Sequence, residues 1–174
     1  VYRNTAQWFV SMESRGLRDT AVSELGRTAF YPLGGQRRLT SMIKQRPDWC
    51  LSRQRAWGVP ITVFVHKASG EPLRDQAVID RVVEAMRDEG ADCWFSSDPS
   101  RFLGPNYDPA EYEQVTDILD VWFDSGSTHS FVLEQRNDLV SPADLYLEGS
   151  DQHRGWFHSS ILQSCATRGR APYK

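Results

Sequence analysis

The chain has 174 residues, 40% hydrophobic and 25% charged, with a formal net charge of −3. That length holds one domain with a real core, and the composition is that of a soluble globular protein. The mild acidity argues against a surface dominated by nucleic acid, which makes a domain basic, and no apolar run approaches the ~20 residues of a membrane span.

The opening residues, with Arg3 and Gln7, do not read as a signal peptide. Cys50, Cys93 and Cys165 are odd in number and lack the paired spacing of a zinc site, so reduced thiols, a cytoplasmic location and no metal site are expected. Arg37, Arg38, Lys44, Arg46, Arg53 and Arg55 face one nearby acid, Asp48. Such a cluster reads either as a solvated face with structural ion pairs or as a contact for a polyanion.

Gln7-Trp-Phe-Val-Ser-Met12 is β-rich and predicts a strand. Ser14 can cap a helix with Leu17, Ala21 and Leu25 at i, i+4 and i+8. Gly34-Gly35 reads as a break, after which Leu39, Met42 and Ile43 give a second amphipathic helix ending before Pro47. Trp49 to Ser52 predicts a short strand, and Ile61 to Val65 another with Ala68-Ser-Gly70 as its exit turn.

Asp75 opens a helix with Val78, Val82 and Met86 on one side and Ile79 and Val83 beside them, closed by Gly90. Ser96 to Tyr112 reads as a loop-rich excursion. Ile118 to Phe123 and Asp144 to Leu147 predict strands, and a last helix runs from about Asp151 to Arg168 with Phe157, Ile161 and Cys165 in one stripe. Alternating strand and helix predicts an α/β layer with parallel pairing, in which residues 61–115 look like an insertion. The expected division is 1–60, then a small insertion over 61–115, then 116–174.

The turn after Asp144-Leu-Tyr-Leu147 carries Glu148, Gly149, Ser150, Asp151 and Gln152, followed by Trp156. Ligands in open parallel sheets sit beyond the carboxyl ends of strands, where such turns lie. Ser150 or Asp151 as a helix cap accounts for one residue of the set but not for Glu148, Gly149 and Gln152. Trp122 and Trp156 bury a great deal of apolar area and read first as core, a role compatible with walling an apolar pocket. Asp124-Ser125-Gly126 is not a nucleophile elbow, and His153 and His158 lie five apart, off the spacing that puts two ligands on one helix face.

Four segments then carry a resemblance, in order along the chain. They are Gln7-Trp-Phe-Val-Ser-Met12, Arg46-Pro-Asp-Trp-Cys-Leu-Ser-Arg-Gln-Arg-Ala-Trp-Gly-Val-Pro60, Asp120-Val-Trp-Phe-Asp-Ser-Gly-Ser-Thr128 and Glu148-Gly-Ser-Asp-Gln-His-Arg-Gly-Trp-Phe157. Together they resemble class I isoleucyl-tRNA synthetases. The resemblance implies the second half of a Rossmann-like catalytic domain with a small α/β insertion. By the same resemblance Glu148, Gly149 and Asp151 hold the ribose side of the aminoacyl-adenylate, and Gln152 lies near the amino acid's ammonium or carbonyl. It further makes Trp122 and Trp156 the walls of the amino-acid pocket, and Arg53 and Arg55 candidates for touching the acceptor end of tRNA.

The implied substrates are isoleucine, ATP with Mg, and tRNA(Ile). The family's two activation signatures, His-Ile-Gly-His and Lys-Met-Ser-Lys-Ser, do not occur in these residues: Thr128-His129-Ser130 is not the first and Thr40-Ser-Met-Ile-Lys44 is not the second. The chain therefore reads as a central piece of a longer enzyme, inactive in adenylation by itself. An apolar wall separates ligands differing by one methylene by only ~1–3 kcal/mol, a limit for which isoleucine against valine in this family is the standard illustration. The family edits such errors in a separate inserted domain, which would precede Val1. Alternatives are a valyl- or leucyl-tRNA synthetase segment, which the wording of the second and fourth segments disfavours, and a stand-alone synthetase-derived module binding tRNA or a partner protein.

Overall fold

The computed structural model describes residues 4–174. In chain order the strands and helices are β1 (Phe9–Val10), α1 (Leu17–Arg27), α2 (Gly34–Gln45), β2 (Trp49–Cys50), β3 (Ser52–Arg53), β4 (Phe64–His66), α3 (Gln76–Glu89), α4 (Cys93–Ser96), α5 (Ser100–Leu103), β5 (Tyr112–Gln114), β6 (Ile118–Leu119), α6 (Val121–Gly126) and α7 (Trp156–Arg168), with short 3-10 and π turns between them. Helix and strand are mixed, as an α/β chain requires. Two compact units form, one from the residues up to Leu51 together with Asp120–Lys174, the other from Ser52–Leu119. Among the described residues no helix is long and apolar enough to cross a membrane.

In the first unit, α1 buries Leu17, Ala21 and Leu25, the face its spacing predicts, and α2 buries Leu39 and Ile43. These meet Met12, Trp49, Ile161, Leu162, Cys165 and Tyr173 in one core. Gly34-Gly35 does not break the chain but starts α2. A Cβ on Gly35 would lie 2.7 Å from His153 Nε2, so the glycine permits the helix to pass against that ring. β1 and β2 pair antiparallel, Phe9 opposite Cys50 and Val10 opposite Trp49.

The predicted strand over Ile118–Phe123 is a two-residue strand followed by a helix. Asp120 ends it: Oδ1 accepts the Trp122 amide at 3.2 Å, capping α6, and Oδ2 accepts Trp49 Nε1 at 3.0 Å. Asp144–Leu147 is extended but joins no ladder; next to it, Ala143 makes an isolated parallel bridge to Tyr173. That bridge is the parallel pairing found among the described residues, and every two-stranded sheet is antiparallel. The expected parallel layer is therefore not formed within these residues, because its candidate strands stop at a cap or lie without a partner.

In the second unit, β4 pairs antiparallel with β5 and β3 with β6. Asp75 caps α3 by accepting the Ala77 amide at 2.7 Å, and Gly90 closes the helix with a φ of 85°. Val78, Val82 and Ala85 pack with Phe64, Cys93, Trp94, Phe102 and Leu103. The predicted loop from Ser96 to Tyr112 contains α5 and two 3-10 turns. Asp98 and Asp108 nucleate its turns by accepting the Ser100 and Ala110 amides, both at 2.9 Å, each across a proline. Buried Trp94 donates its indole N–H to the Val115 carbonyl at 2.8 Å.

Candidate functional site

The turn after the extended segment folds as a 3-10 turn over Ser150–His153, and α7 starts at Trp156, later than the sequence pattern suggests. Neither Ser150 nor Asp151 caps a helix with its side chain. Gln152 does: its Oε1 accepts the Trp156 amide at 2.9 Å, satisfying one of the helix's free donors. Its Nε2 donates to Asp151 Oδ2 at 3.0 Å. The carboxamide is thus oriented from both ends. His153 Nδ1 donates to the Ser150 carbonyl at 2.6 Å, and its ring meets Phe157 edge-on. It is a structural histidine that ties the turn to α2 and α7.

Trp156 is held on three sides. Gln152 takes its amide, its indole N–H donates to the Ser125 carbonyl at 3.0 Å, and its ring stacks on Tyr146 with centroids 4.0 Å apart and planes 15° from parallel. Trp122, at the start of α6, is 42% exposed. Between the two tryptophans in sequence space lies Gly155, and a Cβ there would come within 2.9 Å of the Trp122 ring and 2.5 Å of Gln152 Oε1. The Trp122 indole therefore rests on the backbone at the start of the helix that carries Trp156. Gly155 and the capping Gln152 set where both tryptophans stand.

Glu148 and Asp151 are exposed at the turn. A Cβ on Gly149 would lie 2.6 Å from Asp151 Oδ1, so the Asp151 carboxylate folds back beneath Gly149. Glu148, Gly149, Asp151, Gln152, Trp122 and Trp156 all belong to the first unit. Arg53 and Arg55 belong to the second, Arg53 in β3 with Nη1 donating to the Ser52 carbonyl at 2.9 Å, Arg55 exposed beyond it. Arg46, grouped with them by sequence, is half-buried with its guanidinium 5.3 Å from the Trp49 ring centroid.

The residues that pattern reading missed are Tyr146, Ser125 and Gly155. Tyr146 lies on the inner face of the extended run, Leu145 and Leu147 being 72% and 77% exposed, whereas alternation read by hydropathy would turn the leucines inward. Burial raises its phenol to about 12, so it stays neutral. The Ser125 contribution is a backbone carbonyl and leaves no mark in side-chain chemistry. Asp124, beside it, has its carboxyl raised by burial and by the neighbouring Asp120. Among the described residues no three His, Cys, Asp or Glu side chains come together as a metal site.

Two tryptophans at one helix start stand beside a polar turn with exposed carboxylates. The sequence model of tRNA synthetases class I (I, L, M and V) matches residues 1–174. A protein of Pelagibacter ubique named isoleucine–tRNA ligase is 59% identical over 174 residues, covering 100% of this chain and 19% of its own length. Proteins of the same name from Gluconobacter oxydans and Caulobacter vibrioides are 62% and 55% identical over 100% of this chain and 18% and 19% of their lengths. The chain thus spans about a fifth of the length of the curated relatives it matches. It belongs to the class I tRNA synthetases of the isoleucine, leucine, methionine and valine group.

Proposed function

We propose that this chain is the central catalytic segment of a cytoplasmic isoleucine–tRNA ligase. The whole enzyme joins isoleucine to ATP, giving isoleucyl-adenylate and pyrophosphate, and transfers the isoleucyl group to tRNA(Ile). In the first step a carboxylate oxygen of isoleucine attacks the α-phosphorus of magnesium-bound ATP, and the bond to the pyrophosphate leaving group breaks. The protein's part is to position the reactants and stabilise charge. This segment supplies position. Trp122 and Trp156 wall the aliphatic side chain, Glu148 and Asp151 accept hydrogen bonds from the ribose, and Gly149 lets the backbone approach. Gln152 lies near the amino acid's ammonium while its two hydrogen bonds hold Trp156 and Asp151. Arg53 and Arg55 serve the acceptor end of tRNA.

One observation carries this reading: Trp122 and Trp156, 34 residues apart in sequence, are brought to one helix start beside the exposed carboxylates of Glu148 and Asp151. Isoleucine-dependent ATP–pyrophosphate exchange by the native polypeptide that carries this sequence tests it. In Gln152→Ala the KM for isoleucine should rise while that for ATP holds, and an unchanged isoleucine KM would remove the Gln152 assignment. The 174 residues alone lack both activation signatures and should show no exchange; measurable exchange would place the charge-stabilising groups within them. Exchange with valine or leucine in preference to isoleucine would move the chain to a sister enzyme.

A further inference from the structure

Beneath α6 and α7 of the first unit lies a cavity of about 70 Å³, lined by Arg46, Asp120, Trp122, Arg154, His158 and Ser159 among others. That is room for several waters or for one tetrahedral oxyanion. His158 is 5% exposed, and neither of its ring nitrogens has a hydrogen-bond partner within 3.5 Å. A neutral imidazole always presents one donor and one acceptor, and buried polar groups are ordinarily satisfied. Arg46 Nε is buried and equally without a partner. Two orphaned groups lining one cavity mark a polar occupant.

The charge balance says which kind. Two guanidinium groups, Arg46 and Arg154, face one carboxylate, Asp120, and that carboxylate already accepts the Trp49 indole N–H and the Trp122 amide. Burial and then Arg46, with Arg154 adding and the His153 carbonyl opposing, depress His158 to about 4, so it is neutral at pH 7 and offers one N–H. The excess is therefore positive and rich in donors. A cation would meet two guanidinium groups, whereas an anion would accept from Arg46, Arg154 and His158 through charge-assisted hydrogen bonds.

We propose that the cavity lined by Arg46, Arg154 and His158 binds a tetrahedral oxyanion of the phosphate class. The oxyanion is supplied either as free orthophosphate or as the phosphate of a nucleotide. The site uses neither Glu148 nor Asp151, while Trp122 and Gly155, which belong to the proposed amino-acid pocket, form part of its lining.

Calorimetric titration of the native polypeptide with inorganic phosphate at pH 7, and separately with AMP, tests the site. Saturable phosphate binding is expected, weakened at least tenfold by Arg46→Met and by Arg154→Met and unchanged by Glu148→Gln. Arg154 is exposed, so Arg154→Met decides the matter even where Arg46→Met does not fold. AMP that competes with phosphate and shares the dependence on Arg154 identifies the nucleotide as the source; phosphate binding without such competition identifies the free anion. Absence of saturable phosphate binding, or binding indifferent to Arg154→Met, overturns the site and leaves the cavity to water. Loss of pyrophosphate exchange in Glu148→Gln with phosphate affinity intact bears on the adenylate reading alone.

Discussion

Replacing Gly155 by Ala probes the packing on which the two tryptophans depend. The glycine has a φ of −116° and a ψ of −115°, outside the helical and extended regions. The steric part of its effect follows from its neighbours. The new methyl would stand 2.5 Å from Gln152 Oε1 and 2.9 to 3.0 Å from two carbons of the Trp122 ring, and real Cβ atoms essentially never come closer than 3.0 Å. Both neighbours must move. Displacing Gln152 removes the cap on the Trp156 amide, at ~1 kcal/mol, and overfilling against the indole costs ~1–3 kcal/mol. The sum is about 2–4 kcal/mol of local stability. If one third to one half of that falls on the amino-acid pocket, the KM for isoleucine rises about tenfold, since ~1.4 kcal/mol is a factor of ten. Gly149→Ala is the matched control. Its methyl would meet one exposed carboxylate oxygen, Asp151 Oδ1 at 2.6 Å, which can swing away into solvent, so a cost within ~0.5 kcal/mol is expected. Thermal unfolding of the two variants side by side decides the point, with the isoleucine KM read for Gly155→Ala. Equal, small effects at both glycines would refute the packing argument.

His158 should make the fold acid-sensitive. Burial, then Arg46 and Arg154, lower its pKa from 6.5 to about 4, so the folded state binds the proton less readily than the unfolded chain. The stability it contributes is full above pH 6.5 and is lost as pH falls through 4, by about 3 kcal/mol at 1.36 kcal/mol per pH unit. His158→Leu should flatten that slope in acid unfolding, and an unchanged acid midpoint would count against it. Tyr146→Leu should loosen Trp156 by losing a stacked pair worth ~0.5–1.5 kcal/mol. The tryptophan emission of the variant would then shift on titration with isoleucine less than that of the parent. Asp75→Ala removes the α3 cap and the partner of the Tyr107 hydroxyl, 2.6 Å away. It should lower the midpoint of denaturant unfolding. Arg53→Ala with Arg55→Ala should weaken tRNA(Ile) binding and flatten its salt dependence, leaving the isoleucine KM unchanged; an unaltered tRNA affinity removes the pair from that interface.

The helices were legible where an apolar face repeats: α1 and α3 follow the spacing of Leu17, Ala21 and Leu25 and of Val78 and Val82, and the caps Asp75 and Gly90 fall where their chemistry puts them. The strands were not. Ile118–Phe123 has β-forming residues throughout, but Asp120 in its middle turns the chain into a helix by capping it, a competition between local propensity and side-chain hydrogen bonding. Gly34-Gly35 was misread because a glycine that permits close approach and a glycine that breaks a helix look alike in sequence; the His153 ring tells them apart. At the turn, residue types indicated where a ligand would sit. They did not indicate that Gln152 caps α7 or that Tyr146 backs Trp156, since both depend on contacts made only once the segment folds.

The extended run Asp144–Leu147 has strand alternation without a strand partner, with Tyr146 inward and two leucines turned to water. Its peptide groups are an open template onto which another extended chain can dock, and Leu145 with Leu147 supplies the adhesive face. Self-association of these 174 residues as an isolated preparation is thus expected to use this edge. A charge at position 147 should reduce it more than any change to the ionic surface.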